Sequence, residues 1–201
     1  MTEPREITGL PQSFDVTVFD KKPESWKAIR SSIVKLTEDA LSETEEKPLL
    51  GGTDDTIAYA NIEAAFLSPD STAVVIRNAQ TSDVVGYTLA MPIGRMYPKR
   101  SSESNTTAYI YYTVLAEDQR GKGLVGKLMD PLHLELDKKG YSFVERDAHI
   151  VGGYADKIIQ HYGSSVLDLY DHEKWPEIGP ERFFRIDNKK YLEQRGIKTS
   201  V

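Results

Sequence analysis

Cysteine is absent from the 201-residue chain, which excludes disulfide staples, thiolate metal sites and a cysteine nucleophile. Long apolar runs are missing too. No window approaches the ~18 uninterrupted apolar residues of a membrane-spanning helix, and the stretch from Met1 to Leu10 lacks the apolar core of a signal peptide. Positive charge is in deficit: Lys and Arg number 25 against 31 Asp and Glu, a net charge of −6. That is the wrong sign for a general nucleic-acid coat. The four histidines, His133, His149, His161 and His172, show no metal-ligand spacing, so no metal site is expected. What is present is core-forming material. Apolar residues make up 39% and charged residues 28%, as in a soluble chain with a buried core, and the length suits one domain. A reducing cytoplasm is the expected compartment, with no membrane or nucleic-acid partner.

Periodicity orders the chain. Phe14 to Phe19 alternates as a strand, and Pro23 suits the first turn of a helix over 24–41 with Trp26, Ile29, Ile33, Leu36 and Ala40 on one face. An acidic segment with Glu43, Glu45 and Glu46 precedes a weaker helix over 54–67. Strands follow at 72–77, 84–91 and 107–115, with a loop at 94–106 holding Arg95, Lys99 and Arg100. Leu124, Leu128, Met129, Leu132 and Leu136 mark the next helix, ended by Lys138, Lys139 and Gly140 and interrupted by Pro131. A strand at 141–148, a helix at 155–162 and strands at 166–170 and 182–186 complete the pattern. The unit over 107–148 is a right-handed parallel crossover behind antiparallel hairpins. The expected fold is α/β, a mixed, mostly antiparallel sheet flanked by helices. It forms a single domain over 14–187, between a lead-in at 1–13 and a tail at 188–201.

The informative segment runs from Leu115 to Leu128, LAEDQRGKGLVGKL. Three glycines in six residues follow a strand and open a helix. Glycine permits backbone conformations closed to other residues, and the first N–H groups of a helix have no internal partner and lie at its positive pole. Arg120, Lys122 and Lys127 add charge. The combination reads as an anion site. Gly121 to Lys127 also satisfies the G-x-x-x-x-G-K phosphate loop of nucleotide hydrolases. Leu128 stands, however, where that loop places the Ser or Thr that holds Mg²⁺.

The run Arg120-Gly121-Lys122-Gly123, between a strand and a helix, resembles the Arg/Gln-x-x-Gly-x-Gly/Ala signature of the GNAT superfamily of acyl-CoA N-acyltransferases, and the element order resembles that fold over 14–187. The resemblance implies that Arg120, Gly121, Lys122, Gly123, Leu124, Val125 and Gly126 surround the pyrophosphate of coenzyme A. It implies that Leu115 offers backbone groups to the pantetheine arm, and that acetyl-CoA is the acyl donor. Val125 departs from the final Gly/Ala position, with Gly126 one place late. A second family motif, Asn-x-x-Ala-x-x-x-Tyr-x-x-x-Gly, keeps its spacing at Ala155 and Gly163, with Gly152 in the place of the Asn and Ile159 in the place of the Tyr. Ile159 replaces the tyrosine that often protonates the departing thiolate. Tyr162, about 60° away around the helix, is the candidate substitute acid; its plain alternative is packing.

Transfer to an amine needs a neutral nitrogen, and therefore a route for its proton, because a lysine-like amine has a pKa near ~10.4. Glu145, Asp147 and His149 share one face of a strand by period two and are candidate bases; a simply solvated polar face is the alternative, and none is named. Tyr109 and Tyr111 share the other candidate strand's face. The expected partner is a small-molecule or peptide amine acceptor. The acidic segment at 43–46 favours a cationic one, while the loop with Arg95, Lys99 and Arg100 pulls the other way. The resemblance also allows a homodimer through the late strands over 166–186. Two rival readings stay open: a CoA-binding module without transfer, and a nucleotide-binding protein.

Overall fold

The computed structural model describes residues 13–42, 62–150, 153–172 and 181–199. The segment at 43–46, residues 54–61 of the weaker expected helix, Gly152 and Trp175 lie outside the described residues; 62–67 are helical. The remaining elements follow the expected order, apart from short helical segments at Ile93–Met96 and Pro98–Glu103 where a loop is expected. They are β1 (Phe14–Val18), α1 (Pro23–Ser42), β2 (Thr72–Asn78), β3 (Val84–Pro92), α2 (Ile93–Met96) and β4 (Thr107–Leu115). After these come α3 (Leu124–Lys138), β5 (Phe143–His149), α4 (Tyr154–Tyr162), β6 (Val166–His172), β7 (Glu181–Asp187) and α5 (Asn188–Gln194).

The strands form one seven-stranded sheet in the order β1-β2-β3-β4-β5-β7-β6. Every pairing is antiparallel except β4 with β5, the pair joined by the α3 crossover. The mixed, mostly antiparallel fold is therefore as the periodicity predicts. Central β2 and β3 are buried almost throughout, because helices cover both faces.

On one face α1 docks through aromatic residues. Trp26 and Phe66 lie 5.0 Å apart between ring centroids, and Phe66 and Tyr87 5.5 Å. Ile29, Ile33 and Leu36, at helical spacing, complete that layer. Thr37 donates to the Ile33 carbonyl at 2.7 Å, which leaves its oxygen to accept from the Tyr87 hydroxyl at 2.8 Å. The other face is covered by α3, with Leu128, Met129 and Leu132 fully buried and the helix continuous through Pro131. α4 and α5 join this second layer. The sequence sets residues 188–201 apart as a tail, whereas Asn188, Tyr191 and Leu192 of α5 are fully buried in the main core. Asp187 caps α5 by accepting from the Lys190 N–H at 2.9 Å.

Two local features set the geometry around β4. Leu89 of β3 pairs with Tyr112 and Ala90 with Ile110, so Tyr111 is an extra residue in β4, a bulge that bends the strand. The parallel pairing of β4 with β5 covers only three positions, Thr107 with Phe143, Ala108 with Val144 and Tyr109 with Glu145. β4 continues to Leu115 and β5 to His149. Beyond Tyr109 and Glu145 the two strands part.

Candidate active site

The parting of β4 and β5 leaves a wedge-shaped gap whose open end carries the glycine-rich loop. A short 3-10 turn, Glu117–Gln119, follows β4, and Arg120 is extended. The Arg120 Nε donates to the Leu115 carbonyl at 3.2 Å and the Lys122 Nζ to Gln119 Oε1 at 3.2 Å. Both long side chains are thus folded back along the loop. Gly121 and Gly123 each have φ of +75°, and a Cβ built at either would meet nothing within 4 Å. The demand there is on backbone conformation, and the loop's outer side is open. Gly123 stands at the N-cap of α3 with no side chain capping the helix. The N–H groups of Leu124, Val125 and Gly126 therefore lack intrahelical acceptors, and the helix dipole adds positive potential. An oxyanion group such as a diphosphate fits this cradle. Leu124 is buried and Val125 is 37% exposed. At Gly126 a Cβ would touch Arg195 Nη2 at 3.4 Å. The small residue one place late is thus the one facing the α5 end.

Leu128, in the place of a Mg²⁺-binding hydroxyl, is fully buried. Among the described residues the strands before the loop are antiparallel, so the parallel setting of a nucleotide phosphate loop is missing. No group of three or more His, Asp or Glu among the described residues is placed to hold a metal ion.

Tyr162 points inward. Its residue is fully buried, with the hydroxyl 3.0 Å from His133 Nε2 and 3.3 Å from Met129 Sδ. Asn188 donates through Nδ2 to the carbonyls of His133 at 3.2 Å and Tyr141 at 3.1 Å, which turns its Oδ1 toward His133 Nδ1 at 2.7 Å. That nitrogen must carry the proton, so Nε2 accepts and Tyr162 donates to it. Burial pushes the Tyr162 hydroxyl up and lowers His133 to about 4. Ile159 packs on the edge of the same core. Around this pair Tyr191 donates to Asp130 Oδ1 at 2.7 Å, and Arg195 grips Asp130 with two bonds of 2.9 Å. Burial raises Asp130, but these partners hold it below the ordinary carboxylate range.

The candidate bases separate on the sheet face opposite α3. Glu145 is 5% exposed and gripped by Arg100 at 2.7 and 2.9 Å and by Arg185 at 3.2 Å. Glu103 closes the group with two bonds of 2.7 Å to Arg100. Asp147, two residues on, accepts from the Tyr109 hydroxyl at 2.5 Å. Tyr109 is buried, and burial first, then Asp147, drives its hydroxyl well above the usual phenol range. Nothing is described of the His149 side chain. The basic loop is largely neutralised: Arg95 pairs with Asp70 at 2.9 Å, and Arg100 with the two glutamates. A cavity of about 760 Å³ lies between α1 and the end of β4, lined in part by Lys35, Asp39, Leu115, Glu117 and Arg120. The sequence alone does not reveal the Arg100–Glu145 and Tyr109–Asp147 pairs, because only the sheet register brings them together.

Among solved structures the chain is similar to several acetyltransferases. A putative GNAT-family acetyltransferase from Desulfovibrio desulfuricans superposes with a TM-score of 0.57 at 11% identity, over 88% of this chain and 99% of that one. An aminoglycoside 6'-acetyltransferase type Ii gives 0.59 at 13%, over 87% and 97%. A spermidine N-acetyltransferase chimera built from Vibrio cholerae SpeG and hSSAT gives 0.61 at 13%, over 89% and 98%. No protein-family model and no curated protein matches the sequence. The chain has the GNAT acetyltransferase fold.

Proposed function

We propose that the protein is an acyl-CoA-dependent N-acyltransferase that moves an acetyl group from acetyl-CoA directly to a primary amine. The observation that carries this reading is the uncapped, glycine-cradled N-terminus of α3 standing at the open end of the β4–β5 gap. Main-chain N–H groups from Gly121 to Gly126, with Arg120 and Lys122, would hold the diphosphate. The edge of β4 that β5 abandons, out to Leu115, offers main-chain groups to a pantetheine arm as it would to a strand. The thioester bound there supplies an acyl group on a thiol leaving group. As the C–N bond forms and the C–S bond breaks, the ammonium loses two protons, one to sulfur and one to solvent. The thiol's own pKa, near that of cysteine at about 8.5, makes acid help useful but dispensable. The burial of Tyr162 is compatible with that chemistry. The solved relatives, acetyltransferases at 11–13% identity, support acyl transfer as the class without fixing the acceptor.

Calorimetric titration with acetyl-CoA, followed by thiol release against an amine panel, tests the reading. Binding with amine-dependent thiol release supports it, and no heat on titration sinks it. A CoA-binding module without transfer is the second reading, favoured by the engagement of the Tyr162 hydroxyl with His133. Binding with no thiol release above hydrolysis would establish that instead.

A further inference from the structure

We infer that Lys139 is an acylation site of the protein: its side-chain amine takes acyl groups directly from thioesters in solution, without the help of any enzyme site. The inference goes beyond the transferase reading and does not depend on it. Lys139 follows α3 at the end opposite Gly123. A 15-residue helix spans about 22 Å, so the amine is remote from the donor cradle.

The placement of the amine carries the inference. Lys139 Nζ donates to the Ser71 carbonyl at 2.6 Å and to Thr72 Oγ1 at 2.7 Å. Lys21, whose backbone is left-handed at φ of +61°, reaches the same turn and donates from Nζ to the Pro69 carbonyl at 2.6 Å. Two amines thus meet over one turn. The nearby carboxylates are held by other cations: Asp70 pairs with Arg95 at 2.9 Å, and Glu135 with Lys138 at 2.5 Å. Tyr141 stays neutral, because burial first and then Asp70 raise its hydroxyl.

Burial of the amine first, and the Lys21 charge second, bring Lys139 down to about 8. About a quarter of it is then neutral at pH 7.5, against roughly one in a thousand for a lysine at its ordinary ~10.4. A neutral amine keeps two N–H groups. Ser71 and Thr72 accept those two, so losing the third proton leaves neither acceptor unpaired. A cationic neighbour that opposes protonation makes a lysine nucleophilic. The residue as a whole is exposed, so an electrophile reaches it. The Nζ lone pair attacks the thioester carbonyl carbon. The C–N bond forms, the C–S bond breaks, and the departing sulfur takes one proton from the nitrogen. The amide that results is neutral, keeps one N–H for the turn and ends the repulsion with Lys21.

Incubation with acetyl-CoA at pH 7.5, with acetylation read at each lysine by peptide mass spectrometry, tests this. Lys139 should react at least about tenfold faster than the median lysine, a smaller gain than the neutral fraction gives because a weaker base is a weaker nucleophile. The rate should be proportional to acetyl-CoA and first order in protein. Trace labelling with acetic anhydride across pH 6 to 10, which uses no acyl-CoA, should show the Lys139 amine titrating at about 8. Lys21→Met removes the neighbouring charge, and the Lys139 rate should fall several-fold while the other lysines keep theirs. Lys139→Arg should abolish the fast site alone. A Lys139 rate at the median, a rate indifferent to Lys21→Met, or one second order in protein, as for catalysis by another copy, overturns direct acylation. Failure of acetyl-CoA to bind in calorimetry sinks the transferase reading instead and leaves the Lys139 result standing.

Discussion

The two sides of the β4–β5 gap are built from different materials. The side that faces α3 presents main chain: two glycines at positive φ and a first helical turn without a side-chain cap. The opposite side presents side chains locked to one another, Arg100 to Glu145 and Tyr109 to Asp147. Main-chain recognition depends on conformation and tolerates most side-chain changes nearby. Side-chain recognition depends on partners far apart in the chain and fails one residue at a time. Under the proposed transferase reading, the first would be the donor side, holding a constant donor, and the second the acceptor side, selecting the amine.

Acid should strain the donor side's scaffold first. His133, under the donor side in α3, has its pKa lowered to about 4 by burial, against 6.5 in the unfolded chain. Its neutral form stabilises the fold fully above pH 6.5, and that contribution is lost as pH falls toward 4, because the unfolded chain then binds the extra proton. The loss between pH 7 and pH 4 is about 3 kcal/mol. On the other side Glu103 is held below the ordinary carboxylate range by Arg100, so its contribution persists to lower pH. Denaturant midpoints across this range should fall less steeply for His133→Gln than for wild type. Parallel curves would break the contrast.

Glu145→Ala attacks the acceptor side directly. It leaves Arg100 and Arg185, whose side chains are 27% and 30% exposed, sharing the single carboxylate of Glu103. Stability should drop by about 2–3 kcal/mol, below the full cost of a buried pair because both guanidiniums reach water. If the two sides are as independent as their construction implies, acetyl-CoA affinity per folded molecule stays the same. A matching loss of CoA binding would show them coupled.

Much of the donor side is legible in the sequence because it is contiguous. Strand, loop and helix over 107–138 are one run of chain, and the positions of Gly121 and Gly123 carry their own conformational meaning. The acceptor side is legible only as a set of polar residues on one strand. Tyr109 and Asp147 are 38 residues apart and Arg100 and Glu145 are 45 apart, and each pair exists only once β4 and β5 lie parallel in a particular register. The placement of β7 rather than β6 beside β5 supplies Arg185 and Phe183, and no local periodicity encodes it. α5 is hidden for a related reason. Its apolar signal is little more than Tyr191 and Leu192, and their burial depends on α3 and α4 being in place.

Tyr162→Phe asks which side owns the hydroxyl. Removing it orphans the buried Nε2 of His133, at a cost of about 1–2 kcal/mol, and turnover per folded molecule should stay unchanged. If turnover collapses while stability and CoA affinity hold, the hydroxyl belongs to the chemistry and the donor side uses a side chain after all.

A change with an equally small effect on stability separates backbone from side chain most cleanly. Gly123→Ala places a methyl where nothing lies within 4 Å but forces an L-residue to φ of +75°, costing about 1–2 kcal/mol if the loop keeps its shape. A loop that relaxes instead would turn its N–H groups away from the anion, so acetyl-CoA affinity should fall by more than the stability change accounts for. Lys122→Ala at the neighbouring position removes a charge and leaves the conformation intact, so it should weaken binding mainly at low salt. Equal, salt-sensitive losses in both variants would mean that charge rather than main-chain geometry grips the donor, and the contrast between the two sides of the gap would disappear.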